Sequence, residues 1–397
     1  MIKEDFLKNY TKLISSGSTP KGGNKVYLKE GEILFFRGQN ILMNKFSDHD
    51  SVYISNEIHN RMKRTWVKKG DVLLVITGSI GRTAFYEGED HKANVNQHVC
   101  IIRLKDFNVL NPHYLSYFLV SPTMQRHIKR ISIGATRPAL NFSQIGKFKI
   151  PIPPMKFQKK IVKILEKTEK LKELRVEADE LAEKYLKSVF LEMFGDPISN
   201  PKNWPKDNLE NLSSKITDGT HKTPKYQENG VKFISAKNIK RNEINWTDIK
   251  YIMEQEHKKL IKRCNPEFGD IVLTKSGSIG ESALINVNFD FSLFESLALI
   301  KYERKKINGY FLKYLLDTDS IKHRYKKSTK GVAVKHLHLV DIRKLPIILP
   351  PIELQNKFAD IVQQVETIKS DQSQSKQQID NLFNTLMQKA FKGELVC

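Results

Sequence analysis

Acidic residues are in short supply in this 397-residue chain: 44 Asp and Glu face 66 Lys and Arg, a formal charge of +22. An ordinary enzyme sits nearer balance, so a polyanionic partner is the first inference. Cysteine is scarce as well. Cys100, Cys264 and Cys397 are too scattered for a zinc site or a disulfide framework and are expected as reduced thiols. Nucleic acid and an anionic membrane both fit the charge, but there is no run of about 18 apolar residues to cross a bilayer. Met1-Ile2-Lys3-Glu4-Asp5 also lacks the apolar region of a signal peptide, so a cytoplasmic protein is expected.

Familiar catalytic patterns are missing too. Gly78-Ser79-Ile80-Gly81 has no Gly-Lys-Ser/Thr ending, which argues against a nucleotide loop and for a tight turn between strands. A DNA phosphate contact is the second reading of that turn, with Thr77, Ser79 and Arg82, or Lys275, Ser276 and Ser278, beside it. Asp71 and Asp270 each follow Gly before a strand, with no second acid and Lys in nuclease-like spacing, and read as turn residues. Asn111-Pro112-His113-Tyr114 is similar to the Asn-Pro-Pro-Tyr/Phe tetrapeptide of adenine methyltransferases, but His113 breaks it. The later Asn308-Gly309-Tyr310-Phe311 departs further, so helix capping is expected at both. His336 and His338 lie two apart without further metal ligands, and no Ser/His/Asp or Cys/His set stands out.

One long stretch contains neither Pro nor Gly. Behind the doorstep Ile150-Pro151-Ile152-Pro153-Pro154, the charged segment from Met155 to Met193 predicts a helix, which from Lys156 to Glu192 would span roughly 55 Å. Ile161, Ile164, Thr168, Leu171, Ala178, Ala182, Tyr185 and Val189 recur in steps of three and four if Arg175 fills the middle slot. That is a narrow seam for one partner helix. The partner lies in the same chain: Ile347-Ile348-Leu349-Pro350-Pro351 repeats the doorstep, Gln355 follows it as Gln158 follows the first, and Phe358, Ile361, Val365, Ile368, Gln372, Ser375, Ile379, Leu382 and Leu386 form a second seam.

The whole chain is doubled. Gly70-Asp71 through Gly81 matches Gly269-Asp270 through Gly280, Phe36-Arg37-Gly38-Gln39-Asn40-Ile41 matches Ile234-Ser235-Ala236-Lys237-Asn238-Ile239, and Tyr114-Leu115 matches Phe311-Leu312, each about 200 residues on. Each copy is expected to be a mixed α+β unit, β-rich with helices. The expected divisions are 1–152, an arm 153–196, 197–349 and an arm 350–397. Basic segments with a glycine, Lys129-Arg130 to Gly134-Ala135-Thr136-Arg137 and Lys326-Lys327 to Thr329-Lys330-Gly331, precede the final elements.

Phosphates and guanine edges call for Arg and Lys, and adenine for Asn or Gln. The candidates in the first copy are Arg37, Gln39, Asn40, Arg61, Lys63, Arg64, Asn94, Asn96, Gln97, His98 and Arg137. In the second they are Lys237, Asn238, Lys240, Arg241, Lys326, Lys327, Lys330, Lys335 and His336.

Across nearly its whole length the chain resembles the specificity (S) subunit of type I restriction-modification systems. The resemblance rests on Phe36 to Ile41, the two Gly-Asp…Gly-Ser-Ile-Gly segments, the two doorsteps with Gln158 and Gln355, and Leu386-Met387-Gln388-Lys389-Ala390-Phe391. It implies two tandem target-recognition domains joined by two long helices packed as an antiparallel coiled coil, each domain reading half of an asymmetric double-stranded DNA site. It also implies docking to two modification subunits that hold S-adenosylmethionine and to restriction subunits that use ATP and Mg, with no catalytic or metal residues here. One departure stands out: the first unit begins without the Trp-Pro opening that Asn203-Trp204-Pro205 gives the second, which leaves its N-terminal anchoring open. A self-contained methyltransferase or nuclease with a divergent site, and a coiled-coil scaffold with incidental charge, are the alternatives.

Overall fold

The computed structural model describes residues 3–132, 138–328, 336–392 and 394. Two compact units divide it: Met1–Val176 with Ser373–Cys397, and Glu177–Gln372. Each unit therefore contains half of the central helix Met155–Phe194 and half of the C-terminal helix Ile352–Lys392. No helix among the described residues is long and apolar enough to cross a membrane.

In the first unit a four-stranded antiparallel sheet has the spatial order Thr11–Ser16, Val99–Leu104, Val72–Val75, Thr83–Phe85. Beside it a three-stranded sheet carries Ile33–Phe36 between Tyr53–Ile54 and Ala93–Val95, the latter pair parallel. The unbroken apolar run at Val72 has a simple cause. Val72 and Leu74 face a core with Leu115 and Leu119 of helix Pro112–Val120, while Leu73 and Val75 face Phe36 and Val95. A strand covered on both sides needs no polar alternation. The second unit repeats the plan with Ser213–Asp218, Leu297–Tyr302, Ile271–Thr274 and Ser282–Leu284, next to Lys250–Ile252, Val231–Ile234 and Phe291–Leu293.

The N-terminus of the first unit is anchored after all. Glu4–Phe6 pairs with Lys149–Pro151 as Lys206–Asn208 pairs with Pro346–Ile348, so backbone bonding supplies the closure without a Trp-Pro opening. The expected caps form as well: Asn111 Oδ1 accepts from Tyr114 N at 3.0 Å, and Asn308 Oδ1 from Tyr310 N at 2.9 Å. Cys100 and Cys264 are buried free thiols, and burial pushes both up to about 12. Cys397 and Gly393 lie outside the described residues.

Within each unit the two helix halves run antiparallel. In the first, Lys172 Nζ is 2.8 Å from Asp380 Oδ1 and lies over the Phe383 ring, while Arg175 Nη2 donates to Ser375 Oγ at 3.1 Å, the polar step expected at mid-seam. In the second, Lys369 Nζ is 2.6 Å from Glu183 Oε1, and Phe358 packs edge-on against Phe190 and Phe194. The seam itself needs correction. Ile161, Thr168 and Phe358 are buried and Ile164, Val189, Ile361, Val365, Ile379 and Leu386 half-buried, but Leu171, Tyr185, Ile368 and Leu382 are exposed. Val162, Leu165, Leu186, Phe190, Val362, Met387 and Ala390, off the expected seam, are buried instead. A step of three and four assumes one partner helix along the whole length. Toward its ends each helix also packs on a domain core, which takes a wider apolar stripe.

Two buried amides fasten the starts of these helices. Gln158 Oε1 accepts from Asn111 N at 2.8 Å, and its Nε2 donates to Pro153 O at 2.8 Å and Val109 O at 2.9 Å. Gln355 repeats this with Asn308 N at 2.9 Å and Pro350 O at 2.8 Å. Replacing Gln158 by Met orphans one N–H and two carbonyls, and is expected to cost about 2–4 kcal/mol in urea unfolding. Tyr185→Ala, at an exposed position, is expected to stay within about 0.5 kcal/mol.

Candidate nucleic-acid interface

The Gly-Ser-Ile-Gly segments are tight turns between strands, as their sequence implies. Gly78, Gly81, Gly277 and Gly280 have φ of 75°, 91°, 72° and 90°, the left-handed region that suits glycine. A Cβ on Gly81 would lie 2.6 Å from Gln125 Oε1. The amides of Ile80 and Gly81 bond inward to Gly78 O and Val75 O, which leaves them unavailable to an anion.

The Gly-Asp acids sit at the opposite ends of the strands that lead into these turns and are occupied. Asp71 Oδ2 accepts from Lys68 N at 2.7 Å, and Arg103 holds both carboxylate oxygens, Nε to Oδ1 at 2.8 Å and Nη2 to Oδ2 at 2.7 Å. Asp270 Oδ2 likewise accepts from Glu267 N at 2.9 Å and from Lys301 Nζ at 2.6 Å. Burial raises both carboxyls above their ordinary value, against the pull of Arg103 in one unit and Lys301 in the other. These are turn locks. Arg103→Leu, which strands a buried carboxylate, is expected to cost about 3–5 kcal/mol, and adding Asp71→Leu should recover much of it in chemical denaturation.

At the turn end of these strands, past Val75 and Thr274, backbone pairing is shared and the side chains are not. Thr77 bridges to Ala139 in the first unit as Ser276 bridges to His336 in the second. Around Thr77 the first unit gathers Thr19, Gln97 and His98: Thr19 Oγ1 donates to Gln97 Oε1, Thr77 Oγ1 bonds His98 Nδ1, and Gln97 Nε2 is 3.3 Å from His98 Nε2. The second unit builds an ionic cluster there. Asp218 takes Lys275 Nζ at 2.5 Å, together with Arg263, while His221 faces Asp218 Oδ2 at 3.3 Å and Glu295 Oε2 at 2.7 Å. Burial would raise the Asp218 carboxyl, but Lys275 and Arg263 hold it below its ordinary value. His336 is lowered, first by burial and then by the charge of Lys275.

The expected residues divide between these strand ends and the interior. Thr77, Gln97, His98, Ser276 and His336 come together at the strand ends of their own units, and Ser79 and Ser278 are exposed on the turns. Gln39, Lys237, Lys240, Arg241 and Lys327 are exposed, Arg37 and Arg82 half-buried. Five residues need correction because they are buried by the fold, the first being Asn94, whose Nδ2 donates to Thr65 Oγ1 at 2.6 Å and Met62 O at 3.2 Å. Asn40 accepts from Arg37 N at 3.1 Å and donates to His49 O at 3.2 Å; Asn238 accepts from Ser235 N at 3.0 Å and donates to Asp248 O at 2.8 Å. Asn96 accepts from His98 N at 3.1 Å, and Lys275 is only 2% exposed with its ammonium on Asp218. An amide buried in fixing a loop and an ammonium buried against a carboxylate are out of a base's reach. Gly134-Ala135-Thr136-Arg137, Thr329-Lys330-Gly331 and Lys335 lie outside the described residues.

Thr19, Asp218, His221, Arg263 and Glu295 were not anticipated. Alignment at Gly17 and Gly219 would have found three of them, since a Cβ on either glycine would strike backbone, 1.8 Å from Val95 O and 2.0 Å from Leu293 O, which fixes their equivalence.

The family model described as "Type I restriction modification DNA specificity domain" matches residues 9–181 and again 201–381. The chain is 26% identical to the MjaIX specificity subunit of Methanocaldococcus jannaschii, covering 96% of this chain and 91% of that protein. Against the EcoBI specificity subunit of Escherichia coli it is 22% identical, covering 87% and 77%. A chain from a study of complex assembly and conformational transition in a type I R-M system shares its fold at a TM-score of 0.61 with 17% identity, covering 98% and 97%. The S subunit from M. genitalium does so at 0.52 with 16% identity, covering 98% and 96%. With two copies of the specificity domain spanning most of its length, the chain belongs to the type I restriction-modification DNA specificity family.

Proposed function

We propose that this chain is the DNA-reading subunit of a type I restriction-modification complex, with residues 1–152 and 197–349 each reading one half of a split site. The observation that carries this is the pair of matching strand ends with unlike side chains, an amide and hydroxyl group in one and an ionic cluster in the other. Equal frames with unequal chemistry suit two half-sites of different sequence. The charge of +22 supplies the general attraction to the phosphate backbone.

In this reading the arms 153–196 and 350–397 set the gap between half-sites and offer faces to two modification subunits. Those partners hold S-adenosylmethionine and methylate adenine, and restriction subunits with ATP and Mg cleave, so the chain itself performs no chemistry. Support for this comes from the relatives' naming as specificity subunits.

Matching one-turn deletions in both long helices should change the gap in the methylated motif while leaving the bases of each half-site unchanged. Sequencing of methylated DNA reads this directly, and an unaltered gap would contradict the spacer role. Binding by the full chain should fall steeply with salt; incubated alone with DNA and S-adenosylmethionine or Mg, it should yield no product.

A further inference from the structure

The two units can be compared position by position at these strand ends. In the first, the carbonyls of Val95, His98 and Val99 accept from Ser18, Ile76 and Gly17; in the second, those of Leu293, Ser296 and Leu297 accept from Thr220, Lys275 and Gly219. Asn96 N and Phe294 N then close the turn onto Phe36 O and Ile234 O. Gln97 and Glu295 therefore occupy one place on one backbone.

Their chemistry differs in a way that base edges distinguish. Gln97 spends one valence of each amide atom locally, Oε1 on Thr19 and Nε2 toward His98. An amide oxygen keeps a second lone pair and an amide nitrogen a second hydrogen. What remains is an acceptor beside a donor, the complement of adenine N6–H and N7 in the major groove. Glu295 has only acceptors to offer when ionised, and His221 Nδ1 steadies its Oε2 at 2.7 Å. Cytosine N4 presents a donor to such a group, whereas adenine places the N7 acceptor beside its amino group and repels it.

We infer that Gln97 and Glu295 are equivalent specificity-determining residues, Gln97 reading an adenine in one half-site and Glu295 a cytosine in the other. This rests on the DNA-reading function proposed above. The test uses the full chain with its host's modification subunits, comparing the methylated motifs of wild type, Glu295→Gln and Gln97→Glu by sequencing, with competition binding on half-site variants. Glu295→Gln should change one base pair of one half-site from cytosine toward adenine, reducing the preference for cytosine there roughly 10- to 100-fold. Gln97→Glu should do the reverse in the other half-site. Unchanged motifs, or a loss that is equal on every sequence, would overturn the assignment and leave the reading function standing. A wild-type chain that gives no split motif would overturn that function itself. Should Glu295→Gln fail to melt like wild type, Gln97→Glu carries the same decision.

Discussion

A single buried amide ties the start of each long helix to its domain body. A helix of 40 residues takes its direction from its first turns, and there Gln158 ties the proline doorstep to the capped start of helix Pro112–Val120. Gln355 makes the same tie in the second copy. Each amide is fully buried and bonded through both its oxygen and its nitrogen, so it gains strength from a low-dielectric surrounding and tolerates little substitution. A joint of this kind suits a rigid arm.

The same separation of frame from variable chemistry runs through the bodies. Central strands covered on both faces, and Asp71 and Asp270 clamped by Arg103 and Lys301, hold the turns in one geometry in both copies. Above that frame the side chains diverge. Thr19 and Gln97 stand where His221 and Glu295 stand, on matching hydrogen bonds. Duplication with divergence at the tip is a direct route to a reader of asymmetric sites, because a new base preference needs no new fold.

Much of this architecture was legible in the residues. The doorsteps, the Gly-Asp turns and the Asn caps are local signals, set by proline geometry and by side chains bonding their own backbone, and they appear where the sequence places them. Periodicity misled where its premise failed: Leu171, Tyr185, Ile368 and Leu382 fit a two-helix seam, yet the burial shifts to Leu165, Leu186, Phe190 and Val362 because a sheet-backed core adds a second contact face. Seeking cations and amides named Gln97, His98 and His336, which lie at these strand ends, but also Asn40 and Asn238, which lock loops, and passed over Glu295, whose negative charge looks unsuited to DNA until His221 is seen beside it.

Whether two interchangeable frames carry independent readers is decided by a chain bearing the first reading body in both places, with the arms intact, once the motif its complex methylates is mapped. A motif in which both half-sites carry the sequence of the first is the predicted result. Retention of the original asymmetric motif would show that the bodies do not read independently.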